Sequence, residues 1–294
     1  MSIPSARVKV RWRYPFALLS ALSALLAASV TDSSPVPTAA SRPVGWDPAC
    51  ASTLAAKDTE SDQIRVLGCD PRGRGLAVLA LGDPATARHV AVLVPGSDTD
   101  LHTLDDPARP DHRPLGWARA LRDAAGPGTA VVLWVGYPTP QGLGIDAASG
   151  RLARAGSVAL TGFVDHLHAI RIGAPAHLTV IGHSYGAVVA TIAAPRLRAD
   201  DLVLLGSPGA RVRSVRDLHT SARVWAARTS GDWTRLIPHI QIGDLGHGTD
   251  PTTPGFGARP FPVGGTSGHD GYFRPGSTAL AGLVSIVAAP VVLP

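Results

Sequence analysis

The sequence predicts an α/β fold, a mostly parallel sheet with helices on both faces, and three observations predict it. Several apolar runs rich in β-branched residues lack the alternation of half-solvated strands. Segments of helical periodicity separate them. One of these runs passes into one of these helices through Gly182-His183-Ser184-Tyr185-Gly186, a serine between two glycines. With 294 residues, 45% of them hydrophobic, the chain is long enough for one large core.

From the start of the chain, Arg7, Lys9, Arg11 and Arg13 precede the uncharged apolar run Phe16 to Val30. A basic segment, a short apolar segment and small residues after it describe an export signal. The run is shorter than the ~20 residues a spanning helix needs, which favours cleavage over a retained signal anchor. Residues 1–30 are therefore read as a signal peptide or signal anchor, 31–45 as a linker rich in serine, proline and alanine, and 46–294 as the folded domain. The expected location is secreted or cell-envelope associated, with a membrane tether if the segment is retained. Cys50 and Cys69 are the only cysteines. In an exported chain such a pair is expected to form a disulfide, the alternative being two buried thiols.

Leu76 to Asp83 and His89 to Gly96 follow as strands spaced like a hairpin, with Asp83-Pro84 opening the turn. Pro114 to Ala125 reads as a helix with proline at its start, and Thr129 to Tyr137 as the next strand. Ser149 to Ile170 is a long helix, His177 to Ser184 a strand, and the segment after Ser184 a helix. Asp201 to Gly209 and Ala222 to Asp232 supply two more strands, and Gly276 to Ala288 a closing helix. Strand alternating with helix implies parallel pairing, and the early hairpin adds an antiparallel edge.

In such a sheet, reactive groups belong at the carboxyl ends of strands. Ser184 is placed there, and Gly182 and Gly186 remove side chains that would clash in a sharp turn. Gly-x-Ser-x-Gly between a strand and a helix is a nucleophile elbow. On these residues the chain from Leu76 onward resembles the α/β-hydrolase superfamily. The runs "VLVPGSDT", "GHSYG", "LLGSPG", "SGDW" and "GHDGYF" are similar to those of an actinobacterial α/β-hydrolase family whose domain has no assigned function. The resemblance implies a twisted sheet of about eight strands and hydrolase chemistry, without naming a substrate.

A serine hydroxyl needs a base, and the base an orienting acid. The superfamily order is serine, acid, histidine. Of His219, His239, His247 and His269, the last lies in a glycine-rich loop just ahead of the terminal helix, where the superfamily carries its base. Asp232, at the end of its strand, is the expected acid. Asp244 and Asp250 are its rivals, expected in solvated loop roles, and Asp270 is too close in sequence to reach the far ring nitrogen of His269. His183 is expected to pack, not react. The oxyanion donors are expected to be the backbone N–H groups of Tyr185 and of Ser97, or its neighbour Gly96.

The remaining features exclude more than they assign. The net charge of +5 comes from scattered arginines with lysine nearly absent, so no nucleic-acid partner is expected. The run Ser97 to His112 collects carboxylates with His102 and His112 but has no recognised ligand spacing. It reads as a loop facing substrate, with no metal expected. His166 and His168 point to different faces of their helix. No dinucleotide fingerprint or phosphate loop is present, and no cofactor is expected. The residues Pro138 to Ala155 are expected to wall the pocket. Three functions follow: an esterase acting on a small-molecule or lipid-like ester, a serine peptidase or amidase, or a non-catalytic binding protein of the same fold.

Overall fold

The computed structural model describes residues 45–58 and 64–289. The expected signal segment and all but the last residue of the linker lie outside these residues. The described chain begins with α1 (Pro48–Ala55), capped by Asp47, whose carboxylate accepts the Cys50 N–H. The disulfide between Cys50 and Cys69 joins α1 to β1 (Ile64–Asp70), with Cα atoms 5.8 Å apart.

The order then runs β2 (Leu76–Leu81), β3 (His89–Val94), α2 (Pro114–Ala125), β4 (Thr129–Val135), α3 (Ile145–Ala148), α4 (Arg151–Ala169), β5 (His177–His183), α5 (Tyr185–Ala193), β6 (Asp201–Leu205), β7 (Arg223–Ala227) and α6 (Thr278–Val287). The seven strands form one sheet in the order β1-β2-β4-β3-β5-β6-β7. The pairs from β4 through β7 are parallel, and β1 and β2 are antiparallel to their neighbours.

The expected hairpin between β2 and β3 does not form. β4 lies between them, with Leu79 opposite Leu133 on one side and Val92 opposite Val132 on the other. The hairpin partner of β2 is β1, an edge strand that the sequence reading did not find. Exposed Arg65 and the bulge between Val66 and Gly68 break its apolar run.

The apolar strands are explained by two cores. Val78, Ala80, Val92 and Val132 face the layer formed by α4 and α5. Leu79, Leu81, Leu93 and Leu133 face the layer formed by α1, α2 and α6. β2, β3 and β4 are thus covered on both faces, and their residues are apolar almost without a break. Among the described residues, no helix is long and apolar enough to cross a membrane.

The topology also sets where a site belongs. From β3 the chain crosses through α2 to β4 on one side, while β5 pairs with β3 on the other. The carboxyl ends of β3 and β5 therefore flank a switch point, where α/β sheets open a crevice for ligands. β3 ends in Val94-Pro95-Gly96 and β5 in His183-Ser184.

Candidate active site

Ser184 connects β5 to α5 with φ 57° and ψ −126°, a conformation that costs a non-glycine residue about 1–3 kcal/mol. Its N–H donates to Leu205 O at 2.9 Å, and its carbonyl accepts the Ala187 N–H at 3.0 Å. The flanking glycines are required by close approach. A Cβ on Gly186 would stand 2.1 Å from Val94 O, and one on Gly182 would stand 2.6 Å from Ala187 Cα. The sharp turn exists because α5 is pressed against the end of β3.

The loop after β3 closes on the same turn. A Cβ on Gly96 would lie 2.6 Å from Ser184 Cβ and 2.9 Å from Tyr185 N. Tyr185 opens α5, so its N–H has no partner within the helix. The loop is held in turn by the pocket wall expected at Pro138 to Ala155: Asp98 N–H donates to Pro140 O at 2.8 Å, Gly142 N–H to Asp98 Oδ1 at 2.8 Å, and Thr139 Oγ1 to Thr99 O at 2.7 Å. Tyr137 Oη donates to Pro95 O at 2.8 Å beneath it.

His269 and Asp232 meet although 37 residues separate them. Nδ1 of His269 lies 2.9 Å from Asp232 Oδ1. Asp232 is fully buried and accepts three further bonds: the Thr234 N–H at 2.9 Å and hydroxyl at 2.8 Å on Oδ1, and the Tyr272 hydroxyl at 2.5 Å on Oδ2. Burial alone would raise its pKa. The His269 bond and charge, with the Tyr272 and Thr234 donors, outweigh it and hold the carboxyl far below the usual range. An ionised carboxylate only accepts, so Nδ1 of His269 carries a proton, and in the neutral imidazole Nε2 is then the acceptor. Neither Nε2 nor Ser184 Oγ makes a hydrogen bond with another described residue.

The base loop is tied to the elbow through His183. This buried side chain donates from Nε2 to the His269 carbonyl at 2.7 Å, and the two rings stand 4.6 Å apart. Burial first, then the neighbouring His269, pushes the His183 pKa down to about 4, so the ring is neutral near pH 7. His183 packs edge-on against Trp117 at 4.7 Å. The loop is also pinned by Gly268 N–H to Ser230 O at 2.8 Å and by the Thr229 hydroxyl to Gly268 O. Thus His183 packs as expected and also positions the loop. Tyr272, Thr234 and Gly206 are additions the sequence reading missed. A Cβ on Gly206 would stand 2.6 Å from Asp232 Oδ2.

The rival residues lie elsewhere. Asp244 is paired with Arg154 at 2.6 Å and Arg211 at 2.8 Å, pinning its loop to α4. Asp250 corrects its expected solvated role: it is buried and bonded to Thr252 and to Arg228 Nη1 at 2.7 Å, because Arg228, just past the end of β7, reaches it. His247 is buried with Nε2 2.7 Å from Ala147 O, and His239 lies 3.4 Å from Asp250. Asp270 meets His112 at 3.2 Å, not the ring of His269. Among the described residues, no three His, Cys, Asp or Glu side chains converge on a metal position.

A sequence profile described as alpha/beta hydrolase matches residues 70–242, more than half of the chain. The chain belongs to the α/β-hydrolase family. It is 33% identical to the uncharacterized protein Rv2079 of Mycobacterium tuberculosis over 249 residues, covering 74% of this chain but 37% of that relative. The chain thus spans little more than a third of that relative's length. A second M. tuberculosis protein, the uncharacterized Rv0963c, is 31% identical over 176 residues, covering 58% of this chain and 65% of its own. Among solved structures, the chain is similar to a dienelactone hydrolase from Anabaena variabilis, with a TM-score of 0.39 and 17% identity over 57% of this chain and 74% of that one. It is also similar to a Trichoderma reesei cutinase, with a TM-score of 0.36 and 17% identity over 66% and 74%.

Proposed function

We propose that this α/β hydrolase is an exported serine esterase acting through Ser184, His269 and Asp232. The observation that supports it is the strained Ser184 turn at the β3–β5 switch point, joined through His183 to a histidine whose Nε2 is open and whose Nδ1 is held by a buried carboxylate. In this reading Ser184 Oγ attacks the ester carbonyl as His269 Nε2 takes its proton. In the same reading the N–H groups of Tyr185 and Ser97 receive the developing oxyanion, a role supported by the close approach of Gly96, the neighbour of Ser97, whose added Cβ would stand 2.9 Å from Tyr185 N. The intermediate collapses, the C–O bond to the alcohol breaks, and His269 returns the proton to the departing oxygen. Water then attacks the acyl-enzyme with His269 again as base. An ester requires less protonation of its leaving group than an amide, which is why ester cleavage ranks above peptidase or amidase action. The disulfide between Cys50 and Cys69 supports an oxidising compartment, in keeping with the basic and apolar N-terminal segment, whether cleaved or kept as a tether.

Hydrolysis of p-nitrophenyl esters of graded chain length tests this reading. Ser184→Ala should lower kcat by about 10⁴-fold or more, and Asp232→Asn should also be severe. Asp244→Asn should leave most activity intact. Turnover that survives Ser184→Ala would overturn the mechanism, and an indispensable Asp244 beside a dispensable Asp232 would show the acid to be misplaced.

A further inference from the structure

A cleft of about 170 Å³ opens beside His269. One wall is the 3-10 turn Pro110–His112, and the other is the loop through Thr266 and Ser267 with Arg274 at its end. Both walls rest on one aromatic stack. Trp117 Nε1 donates to Asp111 O at 2.7 Å, and the Trp117 ring lies 5.5 Å from Phe273, nearly parallel to it and one residue before Arg274. Gly116 lies so close beneath the turn that a Cβ there would stand 2.1 Å from Pro110 O. Across the cleft, His112 Nδ1 meets Asp270 Oδ2 at 3.2 Å.

We propose that this cleft is the leaving-group subsite and that it takes a neutral, polyhydroxylated alcohol, of which glycerol and sugars are examples. The inference rests on the proposed role of His269. The alcohol oxygen takes its proton from His269 Nε2 as the C–O bond breaks, so the alcohol must sit where that residue is reached, and His269 lines this cleft. The walls carry complementary hydrogen-bonding groups. Asp111 and Asp270 only accept, Arg274 only donates, and Ser267 does both. The Arg274 guanidinium makes no ion pair or hydrogen bond with another described residue, and the Thr266 hydroxyl, which donates to Gly271 O at 2.7 Å, keeps its lone pairs. Adjacent hydroxyls, each a donor and an acceptor, satisfy such a set. An anionic alcohol would face two carboxylates, and an alkyl alcohol would strip water from these groups and replace none of its bonds.

The test compares kcat/KM for two esters with the same acyl group, an acetylated hexose and hexyl acetate. The wild type should prefer the sugar ester at least tenfold, and Arg274→Ala and Asp111→Ala, both at exposed positions, should each narrow that preference at least fivefold. Equal or better use of hexyl acetate, or a preference unchanged in both variants, would overturn the subsite. Hydrolysis of p-nitrophenyl acetate, whose phenolate leaves without a proton, reads the serine reaction separately. If it is cleaved in a Ser184-dependent way, failure with the sugar ester condemns the subsite alone. If it is not cleaved, both proposals fall.

Discussion

Gly96→Ala places one methyl group against the candidate nucleophile. That carbon would stand 2.6 Å from Ser184 Cβ, 2.9 Å from Tyr185 N and 3.0 Å from His183 O. Carbon atoms rest at roughly 3.5–4.0 Å, so loop and elbow must part by about 1 Å. The elbow has little room to withdraw, because Gly186 is packed on Val94 O and Pro95 O. The displacement therefore falls on the N–H groups of Ser97 and Tyr185. Loss of one oxyanion donor, or a shift of about 1 Å, costs roughly 10²-fold in kcat, and overpacking costs about 1–3 kcal/mol of stability. The comparator is Gly162→Ala, the same chemical change at an exposed position within α4, where a Cβ would meet nothing within 4 Å. It should stabilise by about 1 kcal/mol and leave kcat unchanged. Urea unfolding and p-nitrophenyl acetate turnover on the two variants decide the matter. A Gly96→Ala protein with kcat within twofold of wild type would refute the assignment of this loop to the oxyanion.

Two further outcomes concern stability. His183 is buried neutral with its pKa lowered to about 4 from an ordinary value of 6.5, so below pH 6.5 the unfolded chain binds a proton that the folded chain refuses. Stability is then lost as pH falls, by about 2 kcal/mol from this residue between pH 7 and pH 5, and urea titrations should find that His183→Gln removes that part of the pH dependence. The Cys50–Cys69 bridge closes a loop of sequence separation 19, so Cys50→Ser with Cys69→Ser should lower stability by about 3 kcal/mol in denaturant titration, while a change under 1 kcal/mol would deny the bridge its role.

What the sequence disclosed depends on whether the cause was local. Pro114 and Gly126 bracket a helix of unmixed periodicity, and α2 spans the expected residues. The glycines of the elbow report the close approach of a strand-to-helix turn at the carboxyl end of β5, so the turn that carries Ser184 was legible from five residues. The resemblance to the superfamily singled out Asp232 and His269, and the two side chains do meet, although β7 ends at Ala227, five residues before Asp232. The pairing of β2 was not legible, since the insertion of β4 between β2 and β3 is decided by chain crossing after 30 further residues or more. β1 was hidden by Arg65, whose side chain faces solvent on an edge strand. Tyr272 and Thr234 were missed for a related reason: a tyrosine in "GHDGYF" says nothing of which carboxylate it will reach, and the hydroxyl of Thr234 binds Asp232 only because a tight turn follows that acid. Asp250 looked like a loop residue because its partner, Arg228, is 22 positions away.

In the proposed mechanism Ser184 is a nucleophile activated by His269. Intact-mass measurement after incubation with a fluorophosphonate, followed by peptide mapping, tests it most directly. A single adduct on Ser184 is expected in the folded wild-type protein, with its loss, or slowing by orders of magnitude, in His269→Ala. A folded protein that takes no adduct, or takes it on Ser184 equally fast without His269, would contradict it.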